Sequence, residues 1–266
     1  MSDAGSDALL EASGVTRLFG GVRAVDDVDF KLRCGTVHGL IGPNGAGKTT
    51  LLNLIAGALA LSGGALRFCG HDMARRSSAE RARMGVRRTF QNVKLFADMT
   101  AVDNVAVGLH ASTRCGFFGA VLRTPRCSRE EHSIRERCIE ALRFVGLDGR
   151  AQTRAGALPD GHRRLLEIAR AVVAMPLVIL LDEPAAGLNE IEARHISQLI
   201  SSIRDAGMSV VLVEHHMDVV MQVCDEVTVL NHGRRLASGT PAQIRGNPEV
   251  IEAYLGRPAD TPDARA

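Results

Sequence analysis

The chain has no tryptophan and a single tyrosine among its 266 residues, and aromatics make up only 3% of it. Base-stacking platforms of the kind that grip single-stranded nucleic acid need more aromatic surface than this. Charge of one sign is also lacking: the net charge is +2, which gives no electrostatic footprint for a nucleic-acid partner. Six cysteines are scattered at 34, 69, 115, 127, 138 and 224, none in a C-x-x-C pair, so a metal cage and a disulfide framework are both disfavoured and a reducing cytosol fits. Long apolar runs are missing too. The longest, Ala171 to Leu181, is broken by Pro176, whereas a membrane span needs about 20 apolar residues. The N-terminal MSDAGSDALLEAS is acidic and carries no apolar signal core. Any membrane role is expected to come through a partner.

What is present is an apolar fraction of 45%, enough for a sizeable core. The most informative stretch is Gly42-Pro43-Asn44-Gly45-Ala46-Gly47-Lys48-Thr49-Thr50. An apolar run, Val37 to Ile41, precedes it, and a helix-like run, Leu51 to Ala56, follows. Strand, glycine loop, helix is the context a phosphate-binding loop requires. Glycines let the backbone N–H groups converge on phosphate oxygens, and the helix adds its positive end. Lys48 supplies a point charge, and the Thr49 hydroxyl is a ligand for Mg²⁺. A second element of the same chemistry is Leu177-Val178-Ile179-Leu180-Leu181-Asp182-Glu183-Pro184. Asp182 falls at the C-terminal end of a buried strand, where ligands bind in parallel α/β sheets, and a carboxylate there holds hydrated Mg²⁺. Glu183 is placed to orient or deprotonate the attacking water.

Around these motifs, residues 8–41 read as short β segments with Val25, Val28, Phe30 and Leu32 in alternation, and 64–71 as a further strand. From about 92 to 160 the pattern is helical and irregular. Leu165, Ile168, Ala169 and Val172 mark a helix face, Leu177–Leu181 and Ser209–Val213 buried parallel strands, and Ile196, Leu199, Ile200 and Ile203 another helix. Val227–Ala237 reads as a hairpin turning at Asn231-His232-Gly233, and Thr240-Pro241 as a helix start. Strands alternating with helices after the loop imply an α/β fold with a mostly parallel sheet. Residues 1–7 and 257–266 read as loose ends.

The ordered set now resembles a family. The glycine loop, Gln91 after Thr89-Phe90, Leu158-Pro159-Asp160-Gly161-His162, Leu-Leu-Asp-Glu-Pro and Glu214-His215 are similar to the motifs of ATP-binding cassette (ABC) ATPases across roughly residues 8–256. The resemblance implies a P-loop NTPase core, an N-terminal antiparallel β subdomain and a helical subdomain at about 92–160. It implies ATP and Mg²⁺ as cofactors, Phe19 stacking on adenine and Val25 beside it. Gln91 would contact Mg²⁺ and water, Pro159 and Gly161 would cap the ATP of an opposite subunit, and His215 would reach the γ-phosphate. Read without the family, Phe19 is a core aromatic, Gln91 a surface amide and His215 a satisfied strand-end histidine.

A finer resemblance, to the LivG-type ATP-binding subunits of branched-chain amino acid importers, rests on Arg83 to Gln91, Gly116-Phe117-Phe118-Gly119…Thr124-Pro125, Asp182 to Asn189 and the ending Gly239-Thr240-Pro241 through Tyr254-Leu255-Gly256. It implies a sister ATPase in a heterodimer, two permease subunits, a periplasmic or extracellular binding protein, and a peripheral position on the cytoplasmic face of the membrane. Importers of amides, urea or aromatic acids are the alternatives. A soluble cassette acting on ribosomes or DNA usually carries two cassettes or a coiled-coil insertion, and this chain shows neither. A regulatory, largely non-catalytic cassette is the other rival, suggested by the signature loop. That loop usually reads Leu-Ser-Gly-Gly-Gln. Pro159 here loses a hydroxyl and a backbone N–H, and Asp160 adds negative charge. The expectation is an asymmetric pair in which the nucleotide site capped by this loop is weak. The arginines at 75, 76, 81, 83, 87 and 88 read as a solvated face, or else as a contact to permease or lipid headgroups. Phe117, Phe118, Val121 and Leu122 read as core or as a docking surface.

Overall fold

A computed structural model describes residues 8–89, 94–109 and 125–255. Gln91, Phe90, the Phe117–Leu122 patch and both loose ends fall outside the described residues. Two sheets organise the rest. The first is antiparallel, in the order β2 (Val22–Arg33), β1 (Ala8–Phe19), β4 (Gly63–Phe68), β5 (His71–Asp72). The second has the order β10 (Arg234–Gly239), β9 (Glu226–Asn231), β3 (Val37–Ile41), β8 (Ser209–Val213), β7 (Val178–Asp182), β6 (Val86–Arg88). Every neighbouring pair in it is parallel except the β9–β10 hairpin. This is the α/β core expected from the alternating pattern.

The second sheet separates two cores. Ile179, Leu181, Val210 and Leu212 face one side, and Val178, Leu180, Val211 and Val213 the other, which is why these strands read as unbroken apolar runs. Helices α3 (Ala101–Val107), α4 (Pro125–Phe144), α5 (Asp160–Val172), α6 (Glu190–Asp205) and α7 (Met217–Val223) belong to the first side. On the second, α1 (Lys48–Ala56) is held between the two sheets by Leu51, Leu52, Leu54 and Ile55, all buried. Fixing α1 on both sides fixes the loop before it. Helix starts follow local chemistry: Ser77 with Glu80 for α2 (Ser78–Arg83), Asn189 with Glu192 for α6, and Thr240 with Gln243 for α8 (Pro241–Arg245) are reciprocal capping boxes. Helix α9 (Pro248–Leu255) ends the described chain.

Two readings need correction. The segments before residue 34 are two 12-residue strands, longer than their broken patterning suggested. Gly14 and Asp27, both at positive φ, sit where register shifts interrupt the alternation, so Val25 and Val28 are both buried despite their odd spacing. The arginine run is a solvated face only in part: Arg75, Arg76 and Arg83 are exposed, whereas Arg81 is buried and Arg87 and Arg88 are half-buried. Arg81 is 2% exposed and donates to the carbonyls of Leu54, Ile55, Met73 and Arg76, capping the C-terminal end of α1, where a cation also meets the helix dipole. Arg87 donates to the Ala82 carbonyl. Asn189 accepts from the amides of Ile191 and Glu192 as the cap of α6.

Under the antiparallel sheet, His38 is buried with its Nε2 2.9 Å from Thr228 Oγ1 and its ring 4.4 Å from that of Phe30. Burial pushes its pKa from 6.5 down to about 4, with the Arg33 charge acting in the same direction. The unfolded chain therefore takes up this proton first, and acid favours unfolding. Stability is complete above pH 6.5 and falls as the pH drops towards 4, by roughly 3 kcal/mol over the full window. Urea melts at several pH values, with His38→Gln as the comparison, check this. The variant should flatten the acid dependence in that interval, and an unchanged slope would assign it to other groups.

Candidate active site

The loop after β3 closes on itself before α1 begins. Lys48 is 7% exposed, and its Nζ donates to the carbonyls of Gly42 at 2.7 Å and Pro43 at 3.0 Å. Gly47 precedes α1 at φ 102°, and no side chain caps that helix start. The first-turn amides of α1, which have no partner within the helix, are thereby left for a ligand. Gly42 and Gly47 are required by close approach: a Cβ on the first would lie 2.1 Å from the Leu230 carbonyl oxygen, and on the second 2.4 Å from that of Ala24. Burial lowers the Lys48 pKa, while Glu183 and Asp182 act in the opposite sense. Lys48 and the carboxylate pair therefore share one electrostatic environment although Lys48 and Asp182 stand 134 positions apart in sequence. The sheet order explains this: β3 and β7 flank β8, and all three deliver their C-terminal ends to one edge.

At that edge Asp182 is 1% exposed. One of its oxygens, Oδ2, is 2.9 Å from Arg88 Nη2, and Oδ1 is buried without a hydrogen-bond partner among the described residues. An unsatisfied buried carboxylate oxygen is costly. It fits a divalent cation or its water, as does the exposed hydroxyl residue Thr49 one position into α1. Glu183 follows at φ 51°, a conformation costly for a residue with a Cβ and one that clusters at active sites. Its amide donates to the Val213 carbonyl at 2.9 Å, which binds the turn to the end of β8. His215 comes from that same end, with Nδ1 3.8 Å from Glu183 Oε1.

Glu214 fixes this corner and was not singled out for a role from sequence. Fully buried, it accepts from the amides of Ala185 at 2.7 Å and His215 at 3.2 Å, and its Oε2 is 3.4 Å from His216 Nδ1. Glu214, His215 and His216 lie close enough to suggest a metal cluster. The carboxylate is already committed to the backbone, so it braces His215 instead.

Phe19 ends β1 with 43% exposure and the Arg17 guanidinium 4.7 Å from its ring centroid, so it is a presented aromatic and no core residue. Val25 is a correction: its side chain is fully buried with Val15 and Val28, leaving no face for a nucleotide. Pro159 occupies the cap position of α5 and offers no side-chain cap. Asp160 is 3.3 Å from Arg163, which offsets the charge expected to trouble a triphosphate. Gly161 is tightly placed, since a Cβ there would lie 2.8 Å from Glu192 Oε1. This loop opens α5, directly after the short turn at 155–157. Among the described residues no helix is long and apolar enough to cross a membrane.

Comparison with known proteins bears on this geometry. A family model described as ABC transporter matches residues 25–186, and one described as branched-chain amino acid ATP-binding cassette transporter matches residues 234–260. The high-affinity branched-chain amino acid transport ATP-binding protein BraF of Pseudomonas aeruginosa is 44% identical over 252 residues, covering 94% of this chain and 99% of its own. LivG of Escherichia coli, described in the same terms, is 41% identical over the same shares. Among solved structures, a nucleotide-free ATP-binding cassette from an ABC transporter superposes with a TM-score of 0.82 at 29% identity, covering 94% of this chain and 99% of that one. The ADP conformation of a similar cassette gives 0.81 at 28% identity over the same shares.

Proposed function

Because this chain belongs to the ABC transporter family of ATP-binding cassettes, we propose that it is the ATP-hydrolysing subunit of an importer for branched-chain amino acids. The observation that carries the reading is the convergence of Lys48, Asp182, Glu183 and His215 on one edge of the parallel sheet, in a chain whose last strand and helices match the branched-chain model.

The amides of Gly45 to Thr49 and the Lys48 ammonium hold the β- and γ-phosphates. Thr49 and Asp182 Oδ1 would hold Mg²⁺, which when bound neutralises charge developing on the phosphoryl oxygens. Glu183 accepts a proton from the attacking water, and His215 reaches towards the γ-phosphate. Phe19 stacks on the adenine. Gln91 completes the metal and water contacts from the segment after β6. We take residues 8–256 as one functional cassette with the helices between about 92 and 160 as its arm towards the permease. The partners are two permease subunits, a sister ATPase and a periplasmic or extracellular binding protein, and the chain sits peripherally on the cytoplasmic face of the membrane.

Reconstitution of these subunits in vesicles tests the reading. ATP-driven uptake of radiolabelled leucine, isoleucine and valine is the expected result. Uptake of urea, amides or aromatic acids in their place would overturn the cargo assignment, and uptake indifferent to ATP would overturn the role itself.

A further inference from the structure

Arg88 joins two parts of the site that no step above connects. It is the last residue of β6, paired in parallel register with Leu180 of β7. Its guanidinium reaches in two directions. Nη2 donates to Asp182 Oδ2 at 2.9 Å, and Nη1 donates to Asn53 Oδ1 at 2.5 Å. Asn53 lies on α1, the helix whose start forms the phosphate loop. The next residue, Thr89, completes the hold: the Asp182 amide points at its Oγ1 at 3.4 Å. The charged pair is buried, with side chains 10% and 1% exposed.

A carboxylate this deep is retained in charged form only beside a compensating cation and hydrogen bonds. Lys48 is directed to the loop carbonyls at 2.7 and 3.0 Å, so the direct hydrogen bond to Asp182 Oδ2 comes from Arg88. The fork engages one Asp182 oxygen and leaves the other, Oδ1, without a hydrogen-bond partner among the described residues. A planar guanidinium can meet two acceptors on separate elements at fixed geometry, whereas a lysine ammonium is a point charge on a flexible stem. The separation of Arg88 from Asn53 and Asp182 in sequence means that one side chain couples the phosphate-loop helix to the carboxylate-bearing strand.

We propose that Arg88 is a positioning residue: it turns Asp182 so that Oδ1 alone faces a nucleotide-bound divalent cation, and it ties that orientation to α1 through Asn53. The proposal rests on the reading of Asp182 as a metal-side ligand and deepens it. It also predicts that Arg88 acts on the metal and on turnover more than on nucleotide affinity, because its bonds to Asp182 and Asn53 bear on the carboxylate that faces the metal, while Lys48 and the loop amides are the groups assigned to the phosphates.

The test is Mn²⁺ titration, followed by electron paramagnetic resonance, of the purified full-length chain saturated with the non-hydrolysable analogue adenylyl-imidodiphosphate. Arg88→Met is expected to weaken Mn²⁺ binding about tenfold, the loss typical of one charge-assisted hydrogen bond. Arg88→Lys should recover part of this, since one acceptor can still be met, and Asn53→Ala should cost only about threefold, because it removes the tie to α1 and leaves the Arg88–Asp182 contact in place. Metal-free nucleotide affinity, measured in EDTA, should hold at the wild-type value in all three variants. In the assembled transporter kcat should fall with KM for ATP little changed. Wild-type Mn²⁺ affinity in Arg88→Met overturns the proposal, and so do losses that merely track the urea midpoint across the three variants. If Arg88→Met fails to fold, Arg88→Lys and Asn53→Ala decide, and unchanged Mn²⁺ affinity in both overturns it. Absence of nucleotide-dependent Mn²⁺ binding by the wild-type chain would instead remove the reading of Asp182, a result separable from the failure of Arg88 alone.

Discussion

Glu183→Gln lowers ATP turnover by the assembled transporter roughly 10²–10⁴-fold, the range a general base contributes, and leaves ATP binding in place. The amide keeps the size and shape of the carboxylate but has no basic oxygen to take the proton from water. Its backbone constraints also survive, because the bond from the residue 183 amide to the Val213 carbonyl does not involve the side chain. Loss of turnover with retained binding therefore separates a chemical role from a structural one. The equivalent substitution in the sister ATPase should cost less. In the heterodimer proposed above this chain would lend its own signature loop to the sister's nucleotide, and Pro159 supplies neither side-chain hydroxyl nor N–H. Gly161, at the start of α5, still offers an amide. The pairing of Asp160 with Arg163 softens the charge penalty without replacing the lost donors. Steady-state hydrolysis by matched single-variant complexes checks the assignment. Turnover that survives Glu183→Gln but disappears with the sister's change would reverse it.

Gly47→Ala should cost about 2–5 kcal/mol of stability and abolish nucleotide binding, combining the ~1–2 kcal/mol strain of a side chain at positive φ with the ~1–3 kcal/mol of overpacking. At φ 102° an added Cβ lies 2.4 Å from the Ala24 carbonyl oxygen, and backbone cannot step aside as a flexible side-chain end can. The strand that carries Ala24 is held at this point, since the Asp26 amide donates to the Gly233 carbonyl at 2.8 Å and the Asp26 carboxylate pairs with Arg23 and Arg234. Gly45→Ala is the control. It too has positive φ, but a Cβ there meets nothing within 4 Å, so only the conformational cost of about 1–2 kcal/mol remains. Urea denaturation measures both. Equal losses in the two variants would mean that close approach to Ala24 contributes nothing.

What could be read along the chain was local. The glycine loop, the strand ending in Asp182 and Glu183, the hairpin turn at Asn231-His232-Gly233 and the Thr240-Pro241 helix start all carry their chemistry within a few residues, and each occupies the element expected for it. Buried β3, β7 and β8 were legible because a strand covered on both faces leaves an uninterrupted apolar run. What escaped depends on distant partners. Arg81 and Arg88 look like surface charge until the carbonyl end of α1 and the buried Asp182 are known to lie beside them. Glu214 spends its carboxylate on amides of a turn that is remote in sequence, at Ala185, as well as on its neighbour. Val25 follows its apolar patterning into the core and not the nucleotide-side place that the family resemblance implied, and the positive φ at Asp27 is what lets Val25 and Val28 be buried together despite their odd spacing. The cap formed by Asn189 carries a local signal, Glu192 three residues later, which completes a capping box.

Calorimetric titration of the full-length chain with ATP, in Mg²⁺ and in EDTA, and again with Lys48→Ala, tests the central claim most directly. The account predicts Mg²⁺-dependent affinity in the wild-type chain and its loss when the Lys48 ammonium is removed. No magnesium-dependent affinity even in the presence of the partner subunits, or undiminished affinity in Lys48→Ala, would contradict it.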